Sequence, residues 1–203
     1  MKKIILTAAA VFAFSFANAQ DVKFGAKAGL NISSITGDTD GFGDISSKVG
    51  FQVGGFAEIK ISDKFAIQPE LLYSAQGAKT EFSEEGLSVK GTQKLAYLNI
   101  PVMARFYVAK GFSLEAGPQL GFLLSAEQEA TVSFEGESET ESADNKKDFN
   151  STDFGFNLGA GYDVTENINL GLRYSIGLNN IVKENGSDSN SNSNLAFAVG
   201  YKF

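Results

Sequence analysis

The chain has 203 residues, enough for one domain or two small ones, and a formal net charge of −7. It contains 22 Gly and 18 Phe but no Cys, His or Trp. Those absences exclude a disulfide framework, a Cys nucleophile, Cys-bound zinc and any imidazole acid–base or Ser-His-Asp machinery.

The N-terminus reads MKKIILTAAAVFAFSFANAQ. Lys2 and Lys3 precede an apolar run from Ile4 to Ala17, and Ala17-Asn18-Ala19 supplies small residues for cleavage. Residues 1–19 therefore read as an export signal and residues 20–203 as the mature domain. The run is too short for a stable membrane anchor. No Cys stands at the junction, so lipoprotein processing is excluded.

From Val22 onward the pattern alternates with period two. Val22, Phe24, Ala26, Ala28, Leu30 and Ile32 share one face, while Lys23, Gly25, Lys27, Gly29 and Asn31 share the other. Eight such runs follow one another, at about 22–33, 49–61, 65–76, 94–108, 112–125, 152–164, 168–181 and 194–203. Most match the roughly 9–11 residues that a tilted strand needs to cross a bilayer. The connections alternate in length. Ser62-Asp63-Lys64, Ala109-Lys110-Gly111 and Thr165-Glu166-Asn167 are short; 33–48, 77–93, 126–151 and 182–193 are long. That asymmetry predicts an all-β fold, an eight-stranded antiparallel up-and-down transmembrane β-barrel with both termini in the periplasm. Three-residue turns keep like faces together, set Arg105 across from Glu115 and set Gly159 across from Arg173.

Alternation alone does not say which face is inside. A soluble lipocalin-like carrier also has eight strands, with its apolar face lining a cavity. The loop asymmetry, the terminal strand pattern and the crowding of Gly on the polar face favour the membrane version, because glycine suits a narrow lumen that holds large charged side chains. In that reading Glu58, Lys60, Glu70, Arg105, Glu115 and Arg173 form a luminal charge network. The whole polar face carries Lys23, Lys27, Lys60, Arg105, Arg173 and Lys202 against Glu58, Glu70, Glu115, Asp153 and Asp163, six positive and five negative charges that nearly cancel, as desolvated charges must. An eight-stranded barrel is just wide enough for side chains to fill, so a structural network is expected rather than a catalytic site or an open pore. Phe56 and Leu72 are the apolar exceptions on this face. Pro69, Pro101 and Pro118 fall inside strands, where each removes a ladder hydrogen bond, and bulges are expected there.

The segments QPELLYSAQGAK (68–79) and YLNIPVMARFYVAKGFSLEAGPQLGFLLSA (97–126) resemble the PorT-like outer-membrane β-barrel proteins. The likeness extends over the mature chain, includes Lys-Ala-Gly-Leu-Asn at 27–31, and matches the proline positions. The resemblance implies a small eight-stranded barrel in the outer membrane of a Gram-negative-type bacterium. It also implies that the terminal Tyr201-Lys202-Phe203 is read by the outer-membrane insertion machinery. It carries no catalytic residues over. The founding member's part in type IX secretion makes an accessory secretion role the alternative function.

The segment 126–151 is the most acidic, and reads as a solvated mobile loop whose 130–134 stretch extends a hairpin above the membrane, with divalent cations bridging it to lipopolysaccharide as the sharper possibility. The first loop holds GDTDGFGD; Asp38, Asp40 and Asp44 have oxygen-ligand spacing for Ca²⁺, but Val49 stands where a bidentate Glu is needed, so a Gly/Asp turn is the default. The residues lead to a non-enzymatic barrel without cofactors, embedded among outer-membrane lipids and lipopolysaccharide. Its external loops would serve envelope integrity, adhesion or a surface partner. Nucleic acid is excluded as a partner for want of a basic patch. A lipid-modifying barrel enzyme is a lesser alternative, weakened by the missing His.

Overall fold

A computed structural model describes residues 21–37, 44–84, 87–134, 137–183 and 190–203. The expected signal segment, 1–19, and Asp38 and Asp40 lie outside the described residues. The strands are β1 (Asp21–Thr36), β2 (Asp44–Ser62), β3 (Phe65–Glu84), β4 (Leu87–Ala109), β5 (Phe112–Phe134), β6 (Glu137–Asp144), β7 (Thr152–Asp163), β8 (Ile168–Gly177) and β9 (Ser191–Lys202). Eight of them pair antiparallel in the ring β1-β2-β3-β4-β5-β7-β8-β9, and β9 returns to β1. Closure leaves no open edge within the ring, which is what hydrocarbon requires of a sheet. β6 lies outside the ring and pairs with the distal half of β5.

The short turns set the register. Arg105 faces Glu115 and Gly159 faces Arg173. Gly111 closes the β4–β5 turn at φ +77 and a bulge follows Tyr107, the geometry of a three-residue hairpin with a left-handed last residue.

The two faces are inverted relative to a soluble protein. Phe24, Leu30, Phe51, Leu114, Leu158 and Val199 each expose half or more of their surface on the outer wall. Inside, Lys27, Asn31, Glu58, Glu70, Asn157 and Arg105 are buried. A lipocalin-like barrel would show the opposite arrangement. Nothing but a lipid solvent makes this distribution favourable, because burying charge while wetting phenylalanine costs free energy on both counts in water.

Two expectations are corrected. The prolines do not sit at bulges: the register shifts fall at Ser47/Gln52, Lys60/Ser62, Ala96/Tyr97 and Tyr107/Ala109. Pro69 pairs in register with Val102, and pairing resumes at Leu72 with Asn99; Pro101 pairs with Gln119, and pairing resumes at Ala104 with Ala116. The missing N–H groups are absorbed as short gaps in the ladder, which preserve the alternation of faces where a bulge would reverse it. The second correction concerns 77–93 and 126–151. Most of their described residues are strand, including the hairpin extension expected at 130–134: β4 and β5 each run for 23 residues, about twice a membrane crossing. With the ends of β2 and β3 and with β6 they build a five-stranded crown beyond the barrel. Thr131 with Thr140 and Ser133 with Ser138 share hydroxyl hydrogen bonds of 2.9 Å across the β5–β6 hairpin.

Candidate functional site

The lumen is filled in layers, and each strand contributes through its inward residues. Near the short turns, Arg105 on β4 is the hub. Its guanidinium pairs with Glu58 of β2, with Glu115 of β5 at 2.9 Å and with Asp163 of β7 at 3.8 Å. It also donates to Gln68 Oε1 and Ser113 Oγ, both at 3.0 Å. Glu58 further accepts from Tyr107 Oη at 3.0 Å and pairs with Lys202 Nζ at 2.9 Å; Lys202 reaches Asp163 at 3.1 Å.

One layer further out, Glu70 of β3 is the hub. It accepts from Lys27 Nζ at 2.6 Å, from Gln68 Nε2 at 2.7 Å and from both terminal nitrogens of Arg173 at 2.8 and 2.9 Å. Arg173 also pairs with Glu115 at 3.0 Å, so Glu115 joins the two layers. The cations Lys27, Arg105, Arg173 and Lys202 balance Glu58, Glu70, Glu115 and Asp163 one for one. Bidentate and charge-assisted contacts of this kind are the strong ones, and here they replace the hydration that a narrow lumen cannot hold.

Five of the six residues singled out from the sequence, Glu58, Glu70, Arg105, Glu115 and Arg173, meet in this network. Lys60 does not: it is half-buried, its ammonium lies 6.0 Å from the Tyr107 ring centroid, and it has no ion pair among the described residues. Lys27, Lys202 and Asp163 belong to the network in its place. Their face parity was legible; their partners were not, since Glu70 and Arg173 sit on strands that never pair. Phe56 and Leu72 are buried inside as well, Phe56 beneath the Lys27 ammonium at 5.6 Å.

Glycine makes the room. A Cβ on Gly161 would come 2.7 Å from Glu115 Oε1, 2.8 Å from Arg105 Nη2 and 2.9 Å from Ser113 Oγ. Gly161→Leu is therefore expected to push the Arg105 layer apart and cost about 1–3 kcal/mol by overpacking. Urea unfolding in lipid vesicles measures this, and an unchanged midpoint would contradict the tight-lumen argument.

Beyond the charges comes an amide layer. Asn31 Nδ2 donates to Ser74 Oγ at 2.9 Å, Gln76 Nε2 donates to the same oxygen at 2.9 Å, and Asn192 Nδ2 donates to Asp153 Oδ2 at 2.7 Å. An apolar lid closes the outer mouth. Phe149 and Ile181, from the segments after β6 and β8, pack on Leu95, Tyr97, Leu123 and Ala126. Phe149 bridges Val182, and the Asn150 N–H donates to Ile181 O at 2.7 Å. The cavity beside Lys27, Glu115 and Arg173 measures about 10 Å³, room for about one water.

Every network carboxylate is held by at least one cation. Among the described residues no group of three or more Asp and Glu side chains is arranged to hold a metal ion. Asp44 opens β2 opposite Glu81.

The architecture has solved counterparts. The attachment invasion locus protein Ail of Yersinia pestis superimposes with a TM-score of 0.52 at 16% identity, over 90% of this chain and 99% of that one. Neisserial surface protein A gives 0.47 at 16% identity over 90% and 99%. OprG from Pseudomonas aeruginosa gives 0.39 at 14% identity over 91% and 97%. At such identities Ail shows a shared fold and nothing more. No curated protein matches the sequence. Residues 16–183 match the family described as outer membrane protein beta-barrel domain, and with its lipid-facing wall and closed ring the chain belongs to that family as a multi-pass protein of the outer membrane.

Proposed function

We propose that the chain is a closed, non-enzymatic barrel that anchors a rigid sheet crown at the cell surface, where the crown contacts a partner. The observation that carries this reading is the double obstruction of the lumen, by the ion-pair layers and by the Phe149–Ile181 lid. A barrel so filled has no path for solute, and its exposed sheet is the part free to vary in function. The absence of His and Cys and the pairing of every network carboxylate support a non-enzymatic role. The short turns would face the periplasm and the crown the exterior, following the usual loop asymmetry.

The finer placement among PorT-like barrels rests on segments 68–79 and 97–126, which cover more than half of each of β3, β4 and β5. Tyr201 and Phe203 stand exposed at the end of β9, their rings 5.7 Å apart, and fit the proposed role as an insertion signal. Export by residues 1–19 belongs to the same proposal.

Planar bilayer recording tests the closed-barrel reading. The purified chain is expected to give no stepwise current, and reproducible steps of one size would refute it.

A further inference from the structure

The crown presents two features that a water-exposed sheet usually hides. One is a free edge. The Asn145 N–H donates to Ala126 O at 3.1 Å, which continues the β5–β6 ladder beyond Asp144. Bonded and non-bonded positions alternate along an antiparallel strand. The odd positions of β6 therefore bond to β5, and the backbone groups of Ser138, Thr140 and Ser142 face outward. All eight side chains of β6 are exposed.

The other feature is apolar. Phe82, Val89, Val132 and Phe134 lie in register across β3, β4 and β5, on the face continuous with the lumen. Phe82, Val132 and Phe134 are each 44–56% exposed. The next strand on this face is β6, and there Glu137, Glu139 and Glu141 sit directly beside Phe134, Val132 and Ala130. The opposite face differs: its charges are partly neutralised within the sheet, by Lys94 with Glu129 at 2.6 Å and Lys90 with Glu81 at 3.0 Å.

We propose that the edge of β6 receives an extended polypeptide segment with Lys or Arg at alternate positions, added to the crown as a further strand. The proposal rests on the reading of the crown as a partner-contact surface and names the chemistry of the partner. Backbone pairing to Ser138, Thr140 and Ser142 supplies the register. Basic residues at every second position then fall on the face of Glu137, Glu139 and Glu141, directly across the pairs. Their aliphatic stems lie toward Val132 and Phe134 while the charged ends reach the carboxylates. The same carboxylates repel a second β6, so the edge rejects self-pairing and accepts a basic strand.

The test uses the full chain refolded in nanodiscs of zwitterionic lipid and fluorescent peptides of about ten residues, the length of an ordinary strand. One peptide alternates lysine with valine and threonine; the other has the same composition with its lysines in one block. Fluorescence anisotropy is expected to show at least about tenfold tighter binding of the alternating peptide, because strand addition reads period two. The variant E137K/E139K/E141K is expected to lose at least about tenfold of that affinity. Ser142→Pro removes one outward N–H, and is expected to erase the preference for alternation while the barrel keeps its heat-modifiable gel mobility. Equal binding of the two peptides would reduce the effect to plain electrostatics and overturn the proposal. So would the absence of binding to a folded barrel, or pairing of the crown with a second copy instead. Bilayer conductance on the same preparation separates this failure from that of the closed-barrel reading.

Discussion

Replacing Arg105 with alanine is expected to destabilise the barrel by about 3–5 kcal/mol, the cost of leaving buried charges without their partner. The residue is 1% exposed, and its removal leaves the four network carboxylates with only three cations. Lys202 would still neutralise Glu58 at 2.9 Å, but Glu115 would keep only Arg173, at 3.0 Å. Urea unfolding from lipid vesicles reports the loss as a shift in midpoint. Arg105→Lys should fall between wild type and alanine, because an ammonium keeps the charge but not the planar fork that reaches Gln68 and Ser113 together. The penalty comes from the uncompensated negative charge, not from the absence of a bond. Hence the double variant Arg105→Met, Glu115→Gln, which leaves Lys27, Arg173 and Lys202 against Glu58, Glu70 and Asp163, should recover part of the loss. A change below about 1 kcal/mol for Arg105→Ala would mean that water enters the layer and screens it as at a surface.

This network also shows where sequence reading ends. Parity alone places Glu58, Glu70, Arg105 and Glu115 on one face, and three-residue turns put Arg105 beside Glu115. These relations are local, fixed by period two and by one hairpin. Glu70 with Arg173 and Glu58 with Lys202 are contacts through the lumen, between strands that do not pair. They depend on the shear with which the ring closes, a global quantity that no single hairpin encodes. The lid was illegible for another reason: Phe149 is a lone apolar residue in a connecting segment, and Ile181, read as the end of the strand run 168–181, lies beyond β8, which stops at Gly177. The hairpin extension at 130–134 was legible, but not its partner strand, because β6 reads ESETESAD, equally polar on both faces. Alternation identifies a strand only when its two sides face different solvents, and above the membrane they do not. The prolines were misread because a bulge is the usual remedy for a lost ladder bond, whereas the closed barrel keeps its register and accepts a gap.

Leu158→Arg is expected to cost about 2–4 kcal/mol in a bilayer, the penalty for a basic residue on the lipid face near the midplane of a barrel. Leu158 lies near the middle of the twelve-residue β7, half exposed, while its neighbour Asn157 is fully buried in the lumen. Adjacent residues therefore face opposite solvents, and a single step along the chain exchanges hydrocarbon for a polar interior. Glu139→Arg, on the exposed crown, supplies the contrast: a surface position in water should respond within about 0.5 kcal/mol. Measured together by urea unfolding in vesicles, the pair locates the boundary between hydrocarbon and water along the structure. Equal responses at the two positions would mean that Leu158 does not face lipid, and the inside-out assignment of the wall would fail with it. The expected difference follows from the strand lengths. β4 and β5 are too long to be confined to a bilayer, so the polarity of the outer wall, and not the extent of the sheet, marks where the membrane ends.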